Sequence, residues 1–438
     1  MREINVGLLG CGTVGLGVAK LLIEQKGLLI SKIGAVLNLK RVADIDTKKA
    51  GLIKFDDNVF ISDAMKVVDD SEIDIIVETI GGEKIAKDLI LKALNNGKHV
   101  VTANKALLAN HGNSIIRQAF ENGVEIAFEA SVGGCMPIIK SLRESLVCNR
   151  IQSMTGILNG TCNYIFSKIT DDKISFKEAL SEAQASGIAE ADPTLDIQGI
   201  DTAHKLAILI ALAYGTNINF KDIYIEGITK ITSHDLLFAD QFGYKIKLLA
   251  ITKDRQDKIE ARVHPTMIPC DNILSNVDGT LNAINISGNV VGDMLLYGNG
   301  AGMMPTASAV VSDIVDIARN MLSNTKGRVP LLSFLMDNIR NIPIMPIEDI
   351  MTHYYFRFLV LDKPGVLSKI SGILGDHNIS IKSVHQKGRR LNGFVPIVML
   401  THIAKEADVN FAMIEISDLN VVTDSPVIIR IEDDNIED

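Results

Sequence analysis

The stretch INVGLLGCGTVGLGVAKLL, Ile4–Leu22, decides how the chain begins to fold. A short apolar run leads straight into Gly10, Gly12 and Gly15, spaced as GxGxxG, and then into residues with helical periodicity. In such a strand-turn-helix the first glycine permits a tight turn and the second lets the backbone approach a pyrophosphate. The third lets helix and strand pack closely, and the helix N-terminus faces the anion. Thr13 and Val14 complete this loop. On its own the motif also reads as a structural glycine turn.

Beyond this loop the chain keeps a βαβ rhythm. KRVADID (40–46), IDIIVETIGG (73–82), HVVTANK (99–105) and VEIAFEASVGG (124–134) are strand-like runs separated by helix-length segments. That alternation implies a parallel sheet with ligands at the carboxyl ends of its strands. Asp44 and Asp46 end the second strand, where an acid would meet the adenosine ribose of NAD. Lys40 and Arg41 would instead suit the 2′-phosphate of NADP, and a plain charged surface strand is the third reading. Thr79 and Lys105 follow two further strands, at the ligand edge. Spacing alone leaves Lys105 equally readable as a surface lysine.

Composition narrows the function classes. The chain has 438 residues, 47% hydrophobic and 22% charged, enough apolar material for about two to four domains. A net charge of −9 argues against a nucleic-acid binder, which needs a basic footprint. The longest apolar candidate, Leu206–Tyr214, is too short for a membrane span, and the N-terminus lacks signal-peptide character. Five cysteines without CxxC spacing fit a reducing cytoplasm better than a disulfide framework or zinc site.

From about Cys148 the texture becomes α+β. Helical patterns over 176–186 and 202–213 mix with strand runs KLLAITK and IEARVHPTMIP. A glycine turn and long helix after Tyr297 can return to close the nucleotide domain. The proline-interrupted segment 338–353 reads as a linker. Beyond it comes a self-contained βαβ pattern, and the acidic end IEDDNIED reads as solvated.

The densest chemistry lies in GIAEADPTLDIQGIDTAHK, Gly187–Lys205. Asp201 and Lys205 share a helical face at i,i+4, so Asp201 is readable as an N-terminal helix acid or as a partner aiming Lys205 at a developing alkoxide. Glu190 and Asp196 precede it, and converging carboxylates need a positive charge between them, which an amino-group substrate supplies. An inert acidic loop is the rival reading.

These residues carry a resemblance. GCGTVG, VTANK, FEASVGG, NGTCNYI, the 187–209 segment, RVHPTMIP and YGNGAGMMPTASAV stand in an order and spacing that resembles homoserine dehydrogenase over residues 1–330. VLDKPGVLSKISGILGDHNISI resembles an ACT domain, the small amino-acid-sensing module. No aspartokinase domain precedes, which implies the monofunctional form. The resemblance implies an α/β protein: a Rossmann-like dinucleotide-binding domain (1–135, completed by 298–330), an α+β substrate and dimerisation domain (136–297), a linker (331–350) and a ferredoxin-like ACT domain (351–438).

It also implies the reversible NAD(P)H-dependent reduction of L-aspartate 4-semialdehyde to L-homoserine, in threonine, methionine and isoleucine synthesis. Lys205 would donate the proton, with Lys105 near the carbonyl and cofactor. Gly160, Thr161, Glu190, Asp196 and Asp201 would line the substrate pocket. Gly10, Gly12, Thr13, Val14, Gly15, Asp44, Thr79, Lys105, Gly187, Glu190 and Gly302 would bind the cofactor. Glu129 and the backbone of Val132, Gly134 and Met136 match the family's sodium site, although from composition FEASVGGCMP is a strand end and glycine turn. Ile45 stands between Asp44 and Asp46 where many members carry an arginine, which leaves NAD, NADP or both in use. Cys135 and Met136 also depart from the family's smaller residues, without touching backbone ligands.

Asp362, Pro364, Gly365 and Asn378 match the effector loop of ACT modules, with threonine as the expected inhibitor and a homodimer or homotetramer as the expected assembly. On this reading a chain cut after Pro346 keeps activity and loses its threonine response. Two rivals remain: another amino-acid semialdehyde oxidoreductase, such as a diaminopimelate dehydrogenase, which leaves 187–209 unexplained, and a non-catalytic dinucleotide and amino-acid sensor.

Overall fold

The structure, a computed structural model, describes residues 1–51, 53, 55, 58–386 and 393–433. The chain divides into two compact units. One holds Met1–Met154, Asp201–Lys221 and Leu281–Ile342; the other holds Thr155–Ile200, Asp222–Thr280 and Pro343–Asp438.

The first unit grows outward from the opening motif. Strands β1 (Glu3–Leu9), β2 (Val36–Ala43), β3 (Phe60–Ile61), β4 (Ile75–Glu78), β5 (His99–Thr102) and β6 (Ile126–Ala127) form one sheet in the order β3-β2-β1-β4-β5-β6. Every pair is parallel. The inner strands are apolar on both faces, as a sheet covered by helices requires. This is the Rossmann order, and the reversal between β1 and β4 opens the crevice where such sheets take their ligand.

Helix α1 (Thr13–Glu24) follows β1 directly, and α2 (Lys105–Glu121) follows β5. A later helix, Met303–Leu322, lies against α1. At Gly17 a Cβ would stand 2.9 Å from that of Ala307, so glycine is what permits this approach. Val6, Val18, Val310 and Ile314 share the resulting core. The helix after the second glycine turn therefore folds with the N-terminal sheet. Helix Ile200–Tyr214 is buried at every position from Asp201 onward. With no solvent-facing side, its charged groups call for protein partners.

The second unit contains a run of six paired strands in the order Tyr244–Asp254, Ile259–Pro269, Val427–Ile431, Met351–Leu361, Phe394–Thr401, Ile381–Gln386. The last four, with helices Val366–Asp376 and Glu406–Ser417, make the βαββαβ module that the sequence suggests. Tyr354, Phe356, Phe358, Ile370 and Val409 fill its core.

This module does not have a sheet to itself. Its final strand pairs antiparallel with Met351–Leu361 on one side and parallel with Ile259–Pro269 on the other, Thr266 opposite Arg430. Buried charges close the join. Arg430 reaches Glu406 and, at 3.0 Å, Glu226, while Arg357 donates to both oxygens of Asp235 at 2.6 and 3.1 Å. The start of the acidic tail departs from the solvated end expected of it. Glu432 pairs with buried Arg262 and, at 2.6 Å, Lys253, and Asp433 accepts from the Tyr244 hydroxyl. The desolvated Arg262 guanidinium demands such a carboxylate, and the two cations override burial to hold Glu432 ionised at a lowered pKa of about 2. Residues 434–438 of that tail lie outside the described residues. The proline segment is also tied down: Ile259 N donates to Pro343 O at 2.9 Å, and Met345 N to Ile259 O at 2.8 Å.

Candidate active site

The three glycines after β1 are demanded for different reasons. Gly10 has φ +91°, and a Cβ there would stand 2.7 Å from Thr79 O; at Gly15 it would meet Gly10 O at 2.0 Å. At Gly12 it would meet nothing within 4 Å. Packing excludes side chains at the first and third positions, while the middle one faces open space at the N-terminus of α1, a cradle suited to a pyrophosphate. Thr13 is exposed beside it, and Val14 packs on the core.

Asp44 lies against this loop. Its Oδ2 accepts from Cys11 N at 2.7 Å and from Lys49 Nζ at 3.0 Å, and its Oδ1 from Asp46 N at 2.9 Å. Burial opposes ionisation, but these donors hold the carboxyl below the usual carboxylate range. Lys40 pairs with Glu72 at 2.6 Å and Arg41 lies 3.9 Å from Asp70. Beside the cofactor-edge acid stands Lys49, rather than the two cations singled out in the sequence. The Thr79 hydroxyl donates to Leu9 O and Gly10 O, stitching the loop after β4 to the glycine loop.

Lys205 and Lys105 meet on one carboxylate. Asp201 Oδ2 takes Lys205 Nζ at 2.7 Å, and Oδ1 takes Lys105 Nζ at 2.8 Å. Burial alone would push the Asp201 pKa up; the two ammonium groups overcome that and hold it well below the carboxylate range. Neighbouring His204 is driven toward its neutral form, first by burial, and packs on Phe220 with ring centroids 4.4 Å apart and the rings tilted by 45°. The two lysines favour the ionised form of Asp201, and each is held on its own carboxylate oxygen.

The other substrate candidates lie in the second unit. Asn159 caps helix Gly160–Asp172 through Cys162 N at 2.9 Å and donates to Asp196 Oδ1 at 2.7 Å. Thr161 is buried and donates to Ile188 O; Gly160 allows close approach, because a Cβ would lie 2.7 Å from Thr280 O. Glu190 is exposed, its carbonyl held by Gln184, and Gly187 precedes it at φ +68°. Asp192 caps its own turn at Thr194. The crowded acids thus have distinct local tasks. Sequence spacing does not single out Asn159 as a partner, although an asparagine just before a helix is a capping signal.

Comparison with known proteins settles the lineage. Residues 10–129 match the family model "Homoserine dehydrogenase, NAD binding domain", residues 137–315 "Homoserine dehydrogenase" and residues 354–417 "ACT domain". A homoserine dehydrogenase of Neisseria gonorrhoeae is 44% identical over 432 residues, covering 99% of each chain. The chain belongs to the homoserine dehydrogenase family. A crystal structure of a homoserine dehydrogenase from Thiobacillus denitrificans superposes with TM-score 0.93 at 45% identity, again over 99% of both chains. A hyperthermophilic archaeal homoserine dehydrogenase solved in complex with NADPH gives TM-score 0.62 at 28% identity, covering 72% of this chain and 98% of that one. The chain is an NAD(P)-dependent oxidoreductase with a C-terminal ACT domain.

The residues matched to the cation site form a compact turn. Glu129 Oε1 and Oε2 accept from Ile139 N and Lys140 N at 2.9 and 2.8 Å, and Glu129 N donates to Asp313. Burial, then Asp313, raise the Glu129 carboxyl to about 7. Val132 and Met136 are buried, and Gly134 at φ +58° packs against the backbone of Gly300. Among the described residues no group of three His, Cys, Asp or Glu is set to hold a metal, so an ion here would rely on backbone carbonyls beside one carboxylate. Gly302, at φ +122°, opens helix Met303–Leu322. In the ACT module Asp362, Pro364, Gly365 and Asn378 are all exposed. Gly365 caps helix Val366–Asp376 at φ +86°, and Asn378 comes just after its end at φ +58°. Among the described residues no helix is long and apolar enough to cross a membrane.

Proposed function

We propose that this chain reduces L-aspartate 4-semialdehyde to L-homoserine reversibly, with Lys205 supplying the proton. The observation that carries the reading is the single carboxylate of Asp201 shared by Lys205 and Lys105. A bound nicotinamide supplies the hydride at its C4. Lys205 would give the aldehyde oxygen, as it gains charge, the proton that completes the alcohol. In the oxidative direction neutral Lys205 takes the hydroxyl proton back. Asp201 keeps both lysine side chains aimed.

Glu190, Asp196 and Asp201 are assigned the substrate's ammonium and hydroxyl groups, and Gly160 and Thr161 are assigned to the same substrate. For the cofactor, the open approach at Gly12 supports pyrophosphate binding by Gly10–Gly15, joined by Thr79, Lys105, Gly187, Glu190 and Gly302. Asp44 favours a ribose hydroxyl and its neighbour Lys49 a phosphate, so NAD and NADP are both within reach. Sodium, held by Glu129 with carbonyls of Val132, Gly134 and Met136, is supported by an all-oxygen donor set. Threonine at the loop of Asp362, Pro364 and Gly365 with nearby Asn378, a homodimer or homotetramer and a cytoplasmic setting complete the proposal.

The deciding experiment mixes purified protein with homoserine and NAD or NADP in separate assays at alkaline pH. Reduced cofactor should accumulate in at least one. No reduction with either would overturn the reading.

A further inference from the structure

We propose that Glu78 is a positioning residue for Lys105, acting through Thr102 and Asn104 to lock the two loops at the carboxyl edge of β4 and β5. Glu78 ends the apolar run Ile75–Val77 and is wholly buried. It lies directly beside Thr102 in the parallel register. Its Oε2 accepts from the Thr102 hydroxyl at 2.6 Å, and its Oε1 from Ile80 N and Gly81 N at 2.9 and 3.2 Å. Thr102 Oγ1 in turn accepts from Asn104 N at 3.0 Å.

Asn104 closes the ring. Its Nδ2 donates to Gly82 O at 2.6 Å, and its Oδ1 accepts from Leu107 N at 3.0 Å, capping α2, whose first residue is Lys105. From there Lys105 reaches Asp201. A buried carboxylate carries a large desolvation cost, and a valine would continue this strand without it. What a valine lacks is acceptor capacity for three donors at once, two on the loop after β4 and one at the end of β5. The ring therefore fixes where α2 begins, and with it the root of the lysine that the proposed function places at the reacting centre, a reading on which this inference rests.

The test uses full-length Glu78→Gln, Thr102→Val and Lys105→Ala, singly and as pairs with Lys105→Ala, with kcat, homoserine KM and melting temperature measured for each. Expected for Glu78→Gln is a kcat loss of at least about tenfold with KM changed less than about threefold, because geometry rather than ground-state binding is disturbed. In the Lys105→Ala background the same change should cost less than about twofold, the two acting as one unit. A lowered melting temperature with unchanged kcat, or an undiminished loss in the Lys105→Ala background, would overturn the proposal. If Glu78→Gln does not fold, Thr102→Val, which removes only the hydroxyl link, carries the same comparison. Wild-type turnover by Lys105→Ala alone would overturn the role of Lys105 and this inference with it. Normal Lys105 dependence with no effect of Glu78→Gln or Thr102→Val would overturn only the latter.

Discussion

Lys105 and Lys205 are bound to opposite oxygens of the Asp201 carboxylate, at 2.8 and 2.7 Å. Two ammonium groups this close repel unless an anion sits between them, and the burial of Lys205 raises the need for that anion, while Lys105 is partly exposed. The arrangement holds both lysines on one carboxylate, the geometry on which the proposed proton transfer from Lys205 rests.

Replacing Lys205 by alanine should lower kcat by about 10² to 10⁴, the range for a lost general acid, while NADPH binding measured by fluorescence stays near wild type. Turnover within a few-fold of wild type would remove Lys205 from the chemistry.

Asp201→Asn should destabilise the chain by roughly 3 kcal/mol at neutral pH, since it strands two cations around a neutral amide. The Asp201 pKa is depressed in the folded state, so its stabilisation is complete above the unfolded value near ~3.9 and is lost as pH falls through the lower folded value. The gap between wild type and variant in chemical denaturation should be constant from about pH 8 to 5 and narrow below about pH 4. A gap that widens on acidification would contradict this.

Asn159→Ser separates a cap from a contact. Serine still caps helix Gly160–Asp172, so stability should change by less than about 0.5 kcal/mol. The 2.7 Å donation to Asp196 is lost, and homoserine KM should rise at least about threefold at similar kcat. Lower stability with unchanged KM would make Asn159 purely structural.

Cofactor choice should track the Asp44 and Lys49 pair. Asp44→Ala removes the charge that opposes a 2′-phosphate and should raise the NADP-to-NAD ratio of kcat/KM about tenfold, whereas Lys49→Ala should lower it. Equal ratios in all three proteins would place the adenosine ribose elsewhere.

Cutting the chain after Pro346 does more than remove a sensor. Without strand Val427–Ile431 the edge of Ile259–Pro269 would be left bare, and buried Arg262 would lose Glu432. The truncated protein is therefore expected to aggregate or melt well below wild type, in contrast to the intact activity that a separate module implies. Asn378→Ala is the cleaner probe: threonine inhibition should fall while homoserine oxidation persists. Inhibition unchanged in this variant would move the effector site.

Much of the site was legible where its logic is local. GxGxxG after an apolar run names its own turn, and the i,i+4 spacing of Asp201 and Lys205 puts them on one helical face, because φ preferences and the helical period act over a few residues. The βαβ alternation likewise determined a parallel sheet, and the 187–205 segment pointed to carboxylate and lysine chemistry. Packing alone decided the rest. It gave Asp201 a second lysine from the edge of β5, turned Glu78 from the last residue of an apolar strand into the knot between two loops, and set Glu432 on Arg262 rather than in water. These partners are remote in sequence, and no local preference encodes them. They are selected because a buried charge without a counter-charge or donor costs more than the folded state can bear, so the tertiary fold must bring one to it.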